Sequence, residues 1–178
     1  MDKWIYDGRE FNTNSFGKVT VLARKGEFAK VRFHNTGTVV DAIMSNVRAG
    51  KVSDPFGVTV YGVGYRGRFD KSIKYWKPAY QLWQNMMKRC YSEKDPRGYF
   101  GKALVEERWH SFENFLNDLK ELEGFDEWEK GSKDSFYRSN LDKDFYVKGN
   151  DTYSPSLCRF LPDSFNKSLG KKGKLGTG

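Results

Sequence analysis

At 178 residues, with 38% hydrophobic and 16% aromatic side chains, the chain has length for one substantial core or two small ones, built around a few large rings. No apolar run approaches the ~20 residues of a membrane span and no signal-peptide segment follows Met1, so a cytoplasmic protein is expected. The formal net charge of +8 is uneven: residues 64–109 carry 11 Lys and Arg against 5 Asp and Glu, whereas 110–144 carry 5 against 10. A basic stretch interleaved with Tyr, Phe and Trp is the footprint of a nucleic-acid binder. A membrane surface is disfavoured because no basic amphipathic helix is visible. Cys90 and Cys158 make no C-x-x-C, which reads as reduced thiols of an intracellular protein without a zinc site.

The first 63 residues read as a small β-rich module. Val19 and Val21 in GKVTVLAR, then Val31 and Phe33 in AKVRFHN, alternate with polar positions, the period of half-buried strands. KGEF between them holds the glycine of a hairpin turn. His34 sits beside a second turn signal, Asn35-Thr36-Gly37. The segment TVVDAIMSNVRAG (38–50) is ambiguous; it admits a third strand that ends as a short helix closed by Gly50.

GVGYRG (62–67) spells G-x-G-x-x-G. A dinucleotide site needs a strand before it, a helix opening at the third glycine, and an acidic residue about 20 positions on. Val58, Val60 and Val63 supply the strand, but Arg68, Phe69, Lys71, Lys74, Tyr75, Trp76 and Lys77 follow without helical period. The partner motifs of a kinase phosphate loop are missing too. Two readings stay open: a plain glycine turn, or a hinge that brings main chain close to a nucleic-acid backbone. Residues 64–77 then read as a basic aromatic linker. Arg66, Arg68, Lys71, Lys74 and Lys77 would meet phosphates, and Tyr65, Tyr75 and Trp76 would supply groove or stacking contacts.

From Pro78 the period changes. PAYQLWQNMMKRCY (78–91) puts Leu82, Met86 and Arg89 on one stripe and Trp83, Met87 and Cys90 beside it, which predicts a helix with Pro78 in its first turn. Lys88 and Arg89 join the phosphate-contact candidates. FGKALVEERW (100–109) suggests a short strand. HSFENFLNDLKELEGF (110–125) reads as a second helix, capped by Ser111, with Phe112, Phe115, Leu116, Leu119 and Leu122 inward and Gly124 as its stop. Residues 141–166 are turn-rich, and KSLGKKGKLGTG (167–178) is a basic tail expected to be disordered. The fold class is α+β.

Three stretches, WQNMMKRCY (83–91), YFGKALVEERWHSFENF (99–115) and LDKDFYVKGNDTYSPSLCRF (141–160), followed by Asn166, resemble phage-encoded proteins of the HNH, homing-endonuclease-like type. The resemblance spans about residues 76–166, and the N-terminal piece is similar to a module attached to such proteins. It implies an HNH-like domain over 78–166 with a ββα-metal core, double-stranded DNA as partner, Mg²⁺ or Mn²⁺ as cofactor, and the host-cell cytoplasm as location. In that class a histidine at the end of the first strand activates water while the metal steadies the leaving oxygen. On this mapping LDKD falls at the strand end, Gly149 and Asn150 in the intervening loop, and Asn166 in the closing helix. Lys143 stands where the histidine is expected, and a protonated lysine is a poor general base.

The residues themselves allow a non-standard centre. Asp142 and Asp144 are hard oxygen donors two apart, on one face of a strand, suited to a magnesium ion that Asn150 or Asn166 would help to hold; both aspartates are equally turn or capping residues. His110 is the candidate base, or a surface residue at a helix N-terminus. Cys90 and Cys158 recur in the family pattern and are expected to pack against each other. Three functions remain: a DNA-binding protein with metal-dependent phosphodiester cleavage, the same module with its centre lost and acting as a nucleic-acid binder or a block on a host protein, and a pure protein-interaction inhibitor using the acidic segment 110–144.

Overall fold

Alternation in the first unit becomes a sheet. A computed structural model of the protein describes residues 3–94, 100–131 and 139–162, and the α+β chain divides into two compact units, Met1–Thr59 and Val60–Gly178. In the first, β3 (Lys18–Lys25) and β4 (Phe28–Phe33) pair antiparallel with Lys25 opposite Phe28. Gly26 takes φ +58° in the two-residue turn, as the twist of a tight hairpin requires. β5 (Val39–Ile43) adds to β4 and runs directly into α1 (Met44–Arg48), so the ambiguous segment is strand and then helix. Two strands that no alternation announced, β1 (Ile5–Tyr6) and β2 (Glu10–Asn12), both pair with β3. Val19, Val21, Ala29, Val31, Phe33, Met44 and Val47 form the core.

The second unit is built from α2 (Trp76–Tyr91), β6 (Leu104–Val105), a 3-10 turn (Glu107–His110), α3 (Phe112–Leu119), α4 (Phe125–Gly131), β7 (Ser139–Asp142), β8 (Thr152–Tyr153) and β9 (Arg159–Pro162). β6 pairs parallel with β8, and β7 pairs antiparallel with β9. Its core is aromatic: Trp83, Trp109, Phe112, Phe115 and Phe160 are buried. The indole N–H groups of Trp83 and Trp109 each have an acceptor. Trp83 Nε1 donates to the Trp109 carbonyl at 2.7 Å, and Trp109 Nε1 donates to Asp118 at 2.9 Å. Asp118 also pairs with Arg108 at 2.7 Å.

α2 begins at Trp76 and so carries Pro78 in its first turn, as the spacing predicts. Two expectations are corrected. α3 stops at Leu119, and Gly124, at φ +81°, instead lets the chain pass Phe160, whose carbonyl oxygen lies 2.6 Å from where a Cβ would sit. Residues 64–77 are not a linker. Phe69 packs edge-on to Phe112 at 4.8 Å and against Trp76 at 5.5 Å, which makes the segment part of the second unit's core.

The glycine motif is also explained by packing. Val60 and Gly64 close a tight turn through paired main-chain hydrogen bonds. The next carbonyls cap α3: Tyr65 O accepts from Phe112 N at 2.9 Å and Arg66 O from Glu113 N at 3.1 Å, while Ser111 Oγ accepts from Asn114 N at 3.3 Å. These are N–H groups that a helix start leaves without an internal partner. A Cβ on Gly64 would stand 3.0 Å from the Trp83 ring, and one on Gly67 only 2.5 Å from Glu113 Cβ. The segment is therefore fastened to α3 and does not serve as a hinge.

Alanine substitutions separate these roles. Gly62 has φ +77° and open space around it, so Gly62→Ala should cost about 1 kcal/mol of left-handed strain alone. Gly67 has φ +69° as well as the Glu113 contact, so Gly67→Ala should cost about 3 kcal/mol. Urea denaturation of the two variants checks both the values and their order.

Candidate phosphate site at the end of strand β7

A helical stripe and a strand end enclose one polar cavity of about 300 Å³. α2 contributes Leu82, Asn85, Met86 and Arg89, which at i, i+3, i+4 and i+7 share one face. Asn140, Asp142, Lys143 and Asp144 enter from β7 and the turn after it, and Tyr153 enters from β8. Arg89 Nη1 donates to the Tyr153 hydroxyl at 2.6 Å. Burial pushes the Tyr153 phenol up to about 12, so Arg89 is anchored on a neutral group.

The turn is closed by its own side chains. Asp142 Oδ1 accepts from Asp144 N at 2.9 Å. Asn150 Nδ2 donates to the main-chain oxygens of Lys143 and Thr152 at 2.8 and 2.7 Å, and Asn150 Oδ1 accepts from Thr152 N at 3.2 Å. Lys143 Nζ donates to Asp144 Oδ1 at 2.6 Å and to the Asn150 main-chain oxygen. Its side chain is only 14% exposed, whereas that of Asp144 is 51% exposed. Further along, the Arg159 guanidinium lies over the Phe145 ring at 4.2 Å and pairs with Glu123, which also accepts from the Tyr146 hydroxyl at 2.6 Å.

The predicted site residues thus fall into separate places. Asp142, Lys143, Asp144 and Arg89 meet at the cavity. His110 does not line it: its Nε2 lies 3.1 Å from the Tyr91 hydroxyl and 3.2 Å from the Val105 carbonyl oxygen. Asn166 and the tail 167–178 lie outside the described residues. Arg66, Arg68, Lys71, Lys74, Lys77 and Lys88 are exposed, while Tyr65, Tyr75 and Trp76 are half-buried. The Tyr75 ring packs on Phe125 at 5.1 Å and the Trp76 ring on Phe69, so these two rings build the core before they offer a face to a base. Arg66 lies over the Phe69 and Tyr80 rings at 5.8 and 5.9 Å.

The donor set does not suit a divalent ion as arranged. One Asp142 oxygen holds a main-chain N–H, one Asp144 oxygen faces an ammonium, and the Asn150 amide is directed to the backbone. Among the described residues no three His, Cys, Asp or Glu side chains converge. Sequence reasoning missed Asn85, Asn140 and Tyr153. The available signal was an amide and a guanidinium within the otherwise apolar stripe of Leu82 and Met86. No family model, curated protein or solved structure matches this chain. No helix among the described residues is long and apolar enough to cross a membrane.

Both cysteines are buried and free. Burial pushes the Cys90 thiol up to about 11 and the Cys158 thiol up to about 12, against an ordinary value of 9.0. A raised folded-state pKa stabilises the fold below the unfolded value, and that stability is lost as pH rises toward the folded one. Thermal midpoints should therefore fall from pH 9.0 toward pH 11. Cys90→Ala and Cys158→Ala should each make the fall shallower. In the folded wild type, a thiol reagent at about pH 8 should react with neither cysteine until the chain is unfolded.

Proposed function

We propose that this chain is a DNA-binding protein of the HNH, homing-endonuclease-like type, acting in the host-cell cytoplasm, and that a backbone phosphate of double-stranded DNA enters the cavity between α2 and β7. The observation that carries the reading is the meeting of Arg89 and Lys143 in one polar cavity at the end of β7. That is where the LDKD segment would place the centre of a ββα domain, with β7 and β9 as its antiparallel strands. The exposed Arg66, Arg68, Lys71, Lys74 and Lys77 supply further charge for the phosphate backbone.

The geometry favours binding over cleavage. A general base needs a lone pair, and Lys143 Nζ is the donor in both of its contacts. A second reading keeps the chemistry. The Asp142 and Asp144 carboxylates border the same cavity, and a Mg²⁺ or Mn²⁺ ion there would supply charge stabilisation at a phosphodiester. Asp142 and Asp144 would hold it only after the Lys143 ammonium left Asp144 and Asp142 released the Asp144 N–H, because those oxygens are engaged as the turn stands.

Two measurements test these readings. Duplex affinity by fluorescence anisotropy should fall by orders of magnitude between about 50 and 200 mM salt. The triple change Arg66→Gln, Lys71→Gln, Lys74→Gln should reduce the salt slope by about 3, and Arg89→Gln should weaken binding about tenfold. Affinity indifferent to salt and to these variants would transfer the reading to a protein partner. Metal-dependent nicking of plasmid DNA that Asp142→Ala abolishes would establish the second reading, and absence of nicking with DNA binding retained would leave the first.

A further inference from the structure

We propose that the Lys143 ammonium is a tethered cation standing in for a divalent ion in the β7 turn, so that DNA binding at this cavity needs no metal. The inference rests on the DNA-binding reading above for its ligand, but the placement of the ammonium is independent of it. Lys143 Nζ is held by a carboxylate oxygen, Asp144 Oδ1 at 2.6 Å, and by a main-chain carbonyl oxygen, that of Asn150. Carboxylate and carbonyl oxygens are the donor types that hard divalent ions take. The pocket is built around the lysine. Its own carbonyl accepts from Asn150 Nδ2 at 2.8 Å, so residue 143 fixes the very residue whose carbonyl receives its ammonium. Asp142, by accepting from Asp144 N at 2.9 Å, holds the turn that presents the Asp144 carboxylate.

Charge gives the arrangement its consequence. Asp142 and Asp144 put two negative charges beside the cavity, and a phosphate approaching them unneutralised would be repelled. A divalent ion is the usual remedy. Here Lys143 offsets one carboxylate at contact distance, and Arg89, anchored on the Tyr153 phenol, brings the second positive charge to the same cavity. Two cations and two carboxylates balance without a bound metal. Removing the lysine charge should leave one carboxylate uncompensated beside the cavity and convert the turn into one that requires a divalent ion.

The test compares wild type, Lys143→Gln and Lys143→Arg, each checked for folding by circular dichroism. A labelled duplex is titrated in EDTA and in millimolar Mg²⁺, and free Mn²⁺ is followed by electron paramagnetic resonance in a separate titration without DNA. Wild type should bind DNA equally in EDTA and Mg²⁺, within about twofold, and take up no Mn²⁺. Lys143→Gln should lose about tenfold in EDTA, recover in Mg²⁺, and bind Mn²⁺, while Lys143→Arg should retain EDTA-resistant binding. Wild-type binding that depends on Mg²⁺, or a Lys143→Gln protein that binds DNA in EDTA as tightly as wild type, overturns the inference. If no variant binds DNA under any condition, the DNA-binding reading fails and the Mn²⁺ titration still decides: uptake by Lys143→Gln alone supports the tethered cation, and equal behaviour of the variants overturns it. Should Lys143→Gln not fold, the wild-type pair of DNA titrations decides.

Discussion

The hydrogen bond from the Trp83 indole to the Trp109 carbonyl sets the geometry of the second unit. Trp83 is completely buried, and a buried N–H without an acceptor costs about 1–3 kcal/mol, so the roll of α2 about its axis is tied to the 3-10 turn before α3. The ring stacks on Tyr80 at 5.6 Å and meets Phe112 at 5.6 Å. Its outer edge leaves room only for a residue without a side chain, which is Gly64. With Trp83 fixed inward, helical geometry leaves Leu82, Asn85, Met86 and Arg89 on an adjoining stripe. That stripe meets the end of β7, so the cavity depends on a tryptophan that does not line it.

On the other side of the cavity, the residues work by holding one another. Asn150 is the pin: three of its side-chain hydrogen bonds go to main-chain groups at residues 143 and 152, joining the two ends of an eight-residue excursion. A loop of that length would otherwise carry several unfixed side chains, and here two charges at its start have set positions. The exposed apolar residues of the loop are steadied from outside. Arg159 lies over Phe145 and Tyr146 and reaches Glu123. Such a turn can present charge to a phosphate with little reorganisation, which is the property that favours binding in a preformed site.

Much of this was legible in the sequence, and the failures share a cause. Strict alternation in Val19, Val21, Val31 and Phe33 gave the hairpin, and the apolar stripe from Phe112 to Leu119 gave α3 with Ser111 as its cap. β1 and β2 are two and three residues long, too short for any period to register, and exist because β3 offers them an edge. α4 shows only Phe125 and Trp128 as apolar signal among acidic neighbours, and its place is set by tertiary packing, with Trp128 stacked on Phe160 at 5.1 Å. The same holds for the site. Asp142, Lys143 and Asp144 are neighbours in sequence and could be named from it. Arg89 was named for its charge, but its partner Tyr153 lies 64 positions away, and no local pattern links them.

The glycine motif shows why spacing alone misleads. In a dinucleotide-binding turn the N–H groups at a helix start are kept for a pyrophosphate, and glycine permits the close approach. Gly62–Gly67 also leads to a helix start, that of α3, with glycine again allowing close approach. Here the approaching groups are the protein's own carbonyls, from Tyr65 and Arg66, and the Glu113 carboxylate accepts from Arg68 N at 2.8 Å. The α3 N-terminus therefore spends its donors internally, and an anion nearby would meet the side chains of the exposed basic residues and not the helix dipole. The cations on this face are exposed side chains, and Arg66 among them lies over the Phe69 and Tyr80 rings. Among the described residues a defined pose is offered at the β7 turn, where Arg89 and Lys143 are held by their own partners and line one cavity.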